Sequence, residues 1–425
     1  MQLKLILLTT FTVGFLLHND EIFEIKEIGA FLDDDGDMDK ILASDIVFSN
    51  VTNITNNTKD SVYAQIVANE DNVYVVWQES VLEKIYGKDY DIYFIKSNDQ
   101  GDTFSKAVNL SNNTGFSEHP QIAMSKDGIF IVWTDNADSN NTEIMFTKSV
   151  DNGTTFSKPI NLSNNSKNSN NVEITAFNEN VYVVWQDIDQ NNNKGSIIFK
   201  SSLDGGNTFN DTLELANNTK NSYPKVNSYK EHVYVVWNNE NNTSSPESIN
   251  SGLFFIKSSD RGNSFENKIR LVHNNFGESQ ISVTKDEVVI VWGGLQSKNI
   301  NDIYFISSDD NGNSFTDPYT IKEKVINSDL KNSFKKINHP SNVEIPNNNT
   351  RYIVWQDIIT KENHDIFFTD IKKSGESTKI INLSNNAGIS ECPQIAISNN
   401  FIYVIWEDIT PGNHEILFTR GELAN

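Results

Sequence analysis

An apolar run that ends in tryptophan returns along this chain about every 50 residues, and this period constrains the fold more than any other feature. The first copy runs from Val73 to Trp77 and reads VYVVW. All seven tryptophans occupy this position, namely Trp77, Trp133, Trp185, Trp237, Trp292, Trp355 and Trp406, at steps of 56, 52, 52, 55, 63 and 51 residues. A regular period of this length is typical of stacked or radial repeat proteins.

The run before each tryptophan is apolar at consecutive positions, as in residues 181–185 and 233–237. A strand with one solvated face alternates apolar and polar residues, so an unbroken run indicates a strand covered on both faces. Sheets packed face to face around an axis cover their strands in this way, and one four-stranded blade takes roughly 40 to 50 residues. The sequence therefore predicts an all-β, seven-bladed β-propeller of four-stranded antiparallel blades, with six blades as the alternative.

The most specific motif of each repeat is a turn of the form Ser-x-Asp-x-Gly-x-Ser/Thr-Phe. It occurs five times, and its aspartates are Asp99, Asp151, Asp204, Asp260 and Asp310. The aspartate can accept backbone N–H groups inside the turn, and the glycine can adopt a positive φ. The phenylalanine can anchor the turn on the core. A degenerate sixth copy lies near Ser374.

These turns resemble the Asp-box, or sialidase-type neuraminidase repeat, of the BNR β-propellers over about residues 46–425. The resemblance implies that the five aspartates are structural and lie away from any active site. Sialidases of the family have six blades and use three arginines, a tyrosine–glutamate nucleophile pair and an aspartate acid/base. The seven repeats of this chain already distinguish it from those enzymes.

The chain has only four arginines, and their positions argue against a substrate clamp. Arg261 lies in an Asp-box turn, Arg270 on an outer strand, and Arg351 and Arg420 at strand ends on the face of the turns. A clamp on a sialic acid carboxylate needs guanidinium groups that converge on one pocket. The sequence therefore predicts a sialidase-like propeller without the arginine triad, and we assign no catalytic residue.

The first strand of the ring is predicted to complete its last blade. Residues 48–58 match residues 104–114, which follow the first turn as a fourth strand, without a gap. The seventh repeat stops after its third strand, near Phe418. An N-terminal strand in the vacant place closes the ring and removes an exposed sheet edge.

Carboxylates recur on the face of the propeller opposite the turns, which we call the top face. Two groups are candidates for binding. Acids two residues after a tryptophan are Glu79, Asp135, Asp187, Asp357 and Asp408, and acids that open a third strand are Asp91, Glu143, Asp365 and Glu415. One interpretation is that they satisfy recurring turns of the repeat. The other is that they bind a cation, a glycan or a protein.

The N-terminal region carries no repeat. Residues 1–18 contain Lys4 and an apolar run of signal-peptide length, which predicts a signal peptide or an N-terminal anchor. Residues 19–45 read as an acidic linker, and within it Asp33, Asp35, Asp37 and Asp39 are weak candidates for holding Ca²⁺. Residues 46–425 form the predicted propeller. We expect a secreted or cell-surface protein with no further transmembrane segment.

Composition narrows the functional classes. The formal net charge of −23 repels phosphate backbones, so we expect no nucleic-acid partner. The single cysteine, Cys392, excludes an intrachain disulfide. We expect a monomer that is not an enzyme, requires no cofactor except Ca²⁺ if the acids bind it, and binds a glycan or an extracellular protein through its top face. An exo-sialidase-like glycoside hydrolase is the alternative.

Overall fold

The structure is a computed structural model of the chain. It describes residues 14–18, 21–25, 46–81, 89–137, 141–220, 222–239, 251–273, 279–296, 300–320, 337–344, 350–360, 362–372 and 380–423. By internal contacts the chain divides into two units, one of residues 1–46 with 424–425 and one of residues 47–423. In the first unit, β1 (Gly14–His18) pairs antiparallel with β2 (Glu21–Ile25).

The second unit is an all-β propeller of seven antiparallel blades, as the sequence predicts. Two short strands, β3 (Val47–Phe48) and β4 (Thr52–Asn53), come first. Blades one to three are β5 (Ser61–Asn69), β6 (Asn72–Val81), β7 (Asp89–Ser97) and β8 (Val108–Asn109); β9 (Ser117–Ser125), β10 (Gly128–Asp135), β11 (Glu143–Ser149) and β12 (Ile160–Asn161); and β13 (Asn168–Phe177), β14 (Asn180–Asp189), β15 (Lys194–Ser202) and β16 (Leu213–Thr219).

The remaining four blades repeat the same order of inner, second, third and outer strand. They are β17 (Lys225–Tyr229), β18 (His232–Asn239), β19 (Gly252–Ser258) and β20 (Ile269–Val272); β21 (Ser279–Val283), β22 (Val288–Gln296), β23 (Ile300–Ser308) and β24 (Tyr319–Thr320); β25 (Ile337–Glu344), β26 (Thr350–Ile358), β27 (His364–Lys372) and β28 (Ile381–Asn382); and β29 (Ser390–Ser398), β30 (Phe401–Asp408) and β31 (Glu415–Glu422).

The hydrophobic core lies between neighbouring blades, which explains why the tryptophan strands are apolar on both faces. One cluster joins Phe130 and Ile144 of the second blade to Val183 and Trp185 of the third. Another joins the last blade to the first through Ile405, Phe418 and residues of β5 and β6. All seven tryptophans are at most 3% exposed. Each second strand therefore packs against two neighbours, and this removes the need for polar residues along it.

The five Ser-x-Asp turns are held by their own side chains. In the second blade Asp151 accepts the backbone N–H and the hydroxyl of Thr155, at 2.9 and 2.7 Å, and the hydroxyl of Ser149 at 2.7 Å. The same set recurs at Asp99, Asp204, Asp260 and Asp310. The bonds from Ser97 and Thr103 lower the pKa of Asp99 to about 2. These aspartates thus accept hydrogen bonds from within their own turns.

The phenylalanine of each turn anchors the turn on the preceding blade, a connection that the sequence did not reveal. Phe156 of the second blade meets Phe94 of the first edge-on, with ring centroids 4.9 Å apart. A Cβ on Gly153 would lie 2.6 Å from the same ring, and Gly153 has φ of 70°. Glycine is required there both by the close approach and by the backbone conformation. The contact recurs at Phe104, Phe209, Phe265 and Phe315.

The N-terminal strands complete the last blade, which confirms the predicted closure. Strand β3 pairs with β31 through Val47 and Phe48, and β4 pairs with the same strand through Thr52 and Asn53. The N–H of Ile54 donates to the carbonyl of Ile416 at 3.0 Å. The seventh blade therefore takes its outer strand from the other end of the chain, and the ring has no open edge there.

Deleting residues 1–58 removes β3 and β4 and should leave the last blade with three strands. We expect the melting temperature, followed by circular dichroism, to fall by at least about 5 °C, because several kcal/mol of pairing and packing are lost. Deleting residues 1–45 is the matched control, because it removes no strand of the propeller. Equal melting temperatures for the two deletions would contradict closure by these strands.

Candidate functional site

The top face is where the inner strands begin and where the second strands end. The acids that follow the tryptophans lie there, and four of them, Glu79, Asp135, Asp187 and Asp408, accept the indole N–H of their own tryptophan. Asp187 accepts the indole N–H of Trp185 at 2.7 Å and the hydroxyl of Ser169, on the inner strand, at 2.7 Å. It also accepts the side-chain amide of Asn165, from the loop before the blade, at 3.1 Å. One carboxylate thus connects a second strand, an inner strand and a loop.

The same arrangement recurs in three further blades. Asp135 accepts from Trp133, Ser117 and Asn113; Asp408 accepts from Trp406, Ser390 and Asn386; and Glu79 accepts from Trp77, Ser61 and Asn57. Glu79 also forms an ion pair with Lys59 at 3.2 Å. Asp357 is equally buried. Repetition of the whole set indicates that the bonds belong to the repeat and not to a single ligand.

The acids that open the third strands are also enclosed. Asp91 accepts from Asn109 at 2.8 Å and from Ser111 at 3.3 Å on the outer strand and the loop after it. Asp365 accepts from Asn382 and Ser384 in the same way, Glu143 from Ser163, Asn165 and Asn141, and Glu415 from Thr55, Asn57 and Asn413. The nine candidate carboxylates are all between 0 and 6% exposed. The structure therefore places them inside the blades, beneath the top surface.

Burial dominates the electrostatics of the best-connected of these acids. It raises the pKa of Asp187 above the usual value of an aspartate, although the bonds from Ser169 and Trp185 act in the opposite direction. Within the described part of the chain no group of three or more His, Cys, Asp or Glu side chains is arranged to hold a metal ion. Asp33, Asp35, Asp37 and Asp39 lie outside the described residues.

A second ring of residues, which we call the axial rim, surrounds the axis at the top of the inner strands. It is a β-bulge that interrupts the pairing of inner and second strand, for example between Val62 and Gln65. In four blades the bulge carries Tyr63, His119, Asn171 or Cys392, each 14 positions before the tryptophan. Tyr223 has the same offset in the fourth blade, just before its inner strand, and we count it with the rim. In the sixth blade the bulge lies between Asn338 and Ser341, so the offset differs there. Bulges of this kind re-aim side chains and are frequent beside functional sites.

The rim holds side chains in an uncommon backbone conformation. Tyr63, His119, Asn171 and Cys392 have φ between 51 and 55°. Asparagine tolerates this left-handed region, whereas tyrosine, histidine and cysteine adopt it at a cost. The bulge itself is anchored from the preceding blade, since the N–H of Tyr63 donates to Glu407 and the N–H of His119 donates to Gln78, both at 2.7 Å. These hydrogen bonds fix the backbone of the rim residue and do not depend on which side chain it carries.

Neighbouring rim residues contact one another. The rings of Tyr63 and His119 lie 4.5 Å apart, edge to face. Asn171 donates to the carbonyl of Ser222, directly before Tyr223, at 3.0 Å. Tyr63 is 45% exposed and Tyr223 is 42% exposed. The rim therefore presents aromatic and polar side chains to solvent around the mouth of the axis.

Two carboxyl groups adjoin the rim without belonging to the repeated set. Glu118 is next to His119, and burial together with the charge of the buried Asp89 of the first blade raises the pKa of Glu118. Glu391, next to Cys392, accepts from His364 Nδ1 at 2.9 Å and from the Gln356 amide at 3.1 Å. Because a carboxylate oxygen accepts, Nδ1 of His364 is the donor in its bond with Glu391.

The lower half of the central channel is apolar. A cavity of about 300 Å³ is lined by inner-strand residues of the seventh, first, second and third blades, among them Ile66, Ile122, Ile174 and Ile395. It lies below the rim, toward the face of the Ser-x-Asp turns. Its lining residues are apolar except for Thr175, so it offers no charged group to a ligand.

The axial rim is the functional candidate that sequence reasoning missed. The period directs attention to residues that recur, such as Asp135 and Asp187, and these proved to be internal. The rim residues do not recur. They occupy one position of the repeat at which the residue type differs from blade to blade, as Tyr63, His119 and Asn171 show. The residues two positions later do recur, as Gln65, Gln121 and Gln394 show.

Comparison with known proteins shows the fold and not a family. No family model matches the chain, and no curated protein matches it. An ulvan lyase, a polysaccharide lyase, is 10% identical with a TM-score of 0.57, and covers 85% of this chain and 93% of its own. A protein of unknown function from Dyadobacter fermentans is 12% identical with a TM-score of 0.50, over 88% and 99%.

Sialidases are similar in structure at the same sequence identity and TM-score as the Dyadobacter fermentans protein. Trypanosoma rangeli sialidase is 12% identical with a TM-score of 0.50, over 85% of this chain and 55% of the sialidase. The chain therefore spans about half the length of the sialidase chains that it matches. Likenesses at these identities establish a sialidase-like propeller fold. In the described residues no helix could span a membrane.

Substitution of Asp187 by alanine should remove the acceptor of three buried or half-buried donors. We expect the free energy of unfolding, measured with urea, to fall by about 2–4 kcal/mol, because unpaired buried donors keep their desolvation cost. Asp189→Ala is the control, since Asp189 accepts only from the adjacent loop residues Asn191 and Asn192 in the described structure. A loss no larger than that of the control would show that Asp187 is dispensable to the fold.

Proposed function

We propose that this protein binds an oligosaccharide at the axial rim of its top face. The observation that carries the proposal is the exposed Tyr63–His119 pair, at a position where the other blades carry Asn171, Tyr223 and Cys392. A ligand that contacts several blades at once meets different side chains in each. Variation at one repeated position is therefore the expected mark of a binding site in a repeat protein.

The chemistry of the rim suits a sugar. Aromatic side chains provide rigid apolar surface on which the C–H face of a sugar ring can pack. Asn171, Glu118 and Glu391 supply polar atoms for hydroxyl groups near those rings. Ligand sites in general combine apolar surface with a few placed polar groups. The two named neighbours of the same fold, an ulvan lyase and a sialidase, act on carbohydrates, which supports the proposal.

We also propose where the protein is located and which type of repeat forms its blades. The apolar N-terminal run that begins at Leu5 supports export, so we propose a secreted or cell-surface protein. The hydrogen-bonded turns at Asp99 and its four equivalents support an Asp-box propeller. An extracellular location would expose the rim to free or surface-bound glycans.

We further propose that the protein is not a sialidase. Arg351 forms an ion pair with Glu287 at 2.5 Å and donates to Tyr319, and Arg420 pairs with Asp102 at 2.9 Å. Arg261 lies in a Ser-x-Asp turn and Arg270 in outer strand β20. None of the four belongs to the rim or to its neighbours in sequence. A sialic acid carboxylate would therefore meet carboxylates there instead of a guanidinium clamp.

Binding to a panel of neutral, amino and uronate oligosaccharides should require the rim. Tyr63→Asn should weaken the best ligand by about 5- to 30-fold, which corresponds to about 1–2 kcal/mol of lost ring contact. Asparagine occupies the same position in the third blade, so the backbone tolerates the change. Val150→Ala, on a turn of the opposite face, is the control. Equal affinities of both variants and the wild type would refute binding at the rim.

A glycoside hydrolase is the second candidate, and Glu118 is the observation that favours it. A carboxyl group whose pKa is raised beside a second carboxylate is the usual general acid of such enzymes. We expect no turnover of a fluorogenic sialoside, because no arginine lies at the rim. Turnover that Glu118→Gln abolishes and Glu231→Gln preserves would establish the hydrolase and overturn the non-catalytic proposal.

A further inference from the structure

Four loops in the described part of the top face share one conformation. Each leads from the outer strand of one blade to the inner strand of the next, and its turn residue is an asparagine with φ of 40 or 41°, namely Asn56, Asn112, Asn164 and Asn385. The N–H of this asparagine donates to the asparagine three residues earlier, at 2.8 or 2.9 Å. The residue after it donates to the acid that follows the next tryptophan, which holds the loop to the blade.

The side chain of the turn asparagine takes no part in these bonds. All four turn asparagines are exposed, and within the described residues their carboxamides donate no hydrogen bond. Only the backbone N–H of each is used by the loop. The carboxamide is therefore accessible, and a group attached to it would leave the bonds of the loop intact.

A hydroxyl residue follows the turn asparagine by two positions in three of the loops. These residues are Thr58, Thr114 and Ser166, all exposed, whereas the fourth loop has Ala387 at this position. The three hydroxyls form no hydrogen bond within the described residues, and the loop of Ala387 keeps the same φ and the same bonds. The fold therefore does not need a hydroxyl here, and its recurrence calls for another explanation.

Asparagine followed two residues later by serine or threonine is the acceptor sequence of N-linked glycosylation. The same loops contain a second such sequence, which begins three residues earlier and is enclosed. Asn109 donates to Asp91 at 2.8 Å, and Ser111 donates to the same carboxylate at 3.3 Å. Asn382 is engaged in the same way in the loop after the sixth blade. The structure thus separates an exposed acceptor sequence from an enclosed one in the same loop.

We propose that Asn56, Asn112 and Asn164 carry N-linked glycans, on three consecutive loops of the top face. This inference goes beyond the proposed oligosaccharide binding and rests on the proposed export of the chain. The sugar donor is an oligosaccharide linked through phosphate to a lipid, which a transferase of the export route uses. Nδ2 of the asparagine forms a bond to C1 of the first sugar and loses a proton, while the bond from C1 to the phosphate oxygen breaks.

Tandem mass spectrometry of peptides from the full chain tests the inference, with the protein taken from the cells that produce it. The sugar mass on each asparagine is measured separately. We expect the occupancy of Asn112 to exceed that of Asn109 by at least about 10-fold, because the amide of Asn109 must first leave a carboxylate. Asn385 should carry no sugar, because Ala387 interrupts its acceptor sequence.

The fourth loop offers a matched gain of the modification. Ala387→Thr, produced in the same cells, should place a glycan on Asn385, because the loop already has the conformation of the other three. Ala387→Val has nearly the same shape without the hydroxyl and should add none. In the opposite direction, Thr114→Val should remove the glycan of Asn112.

The outcomes separate this inference from the proposed function. An exported chain without sugar on Asn56, Asn112 and Asn164 would overturn the glycosylation and leave the location in place. Equal occupancy of Asn109 and Asn112 would show that exposure does not select the acceptor, and would overturn the argument from the loops. Retention of the chain inside the cell would overturn both export and glycosylation. Oligosaccharide binding at the rim is measured in a separate experiment, so the two proposals fail independently.

Discussion

Four blades depend on a hydrogen bond between a buried tryptophan and the carboxylate two residues later. The indole N–H lies in the dry space between blades, where it needs an acceptor. In blade three, Asp187 provides that acceptor and also bonds to Ser169 of the inner strand and to Asn165 of the preceding loop. A single charged group therefore joins three segments of chain that are distant in sequence. The inter-blade core, the start of the inner strand and the entry loop are fixed together in each blade that has this set.

Fixed geometry at the top of the inner strand makes the axial rim possible. The bulge that carries Tyr63 or His119 is held by its backbone N–H, which donates to the side chain of Glu407 or Gln78 on the preceding blade. The repeat thus determines where the rim residue sits and leaves its identity free. Functional side chains on a rigid scaffold are positioned at low entropic cost. The proposed binding at the rim and the stability of the blades would consequently be carried by different residues.

The period of the tryptophans was sufficient to predict the number of blades, and the match of residues 48–58 to residues 104–114 predicted closure. The blade number and the closure both follow from the spacing of residues along the sequence, which is kept from one repeat to the next. The sequence could not show which acids were enclosed, because Asp135 is surrounded by donors from a strand and a loop that precede it. It also could not show that Phe156 packs on another blade. Those contacts join neighbouring repeats and have no signature within one repeat.

The central claim is that the varied rim residues form the binding site while the repeated acids build the blades. A crystal structure of the chain with the tightest-binding oligosaccharide of the panel tests this most directly. We expect a sugar ring against Tyr63 and an intact bond between Trp133 and Asp135. An oligosaccharide held instead by Asp135 or Asp187, with the tryptophan bond broken, would contradict the claim.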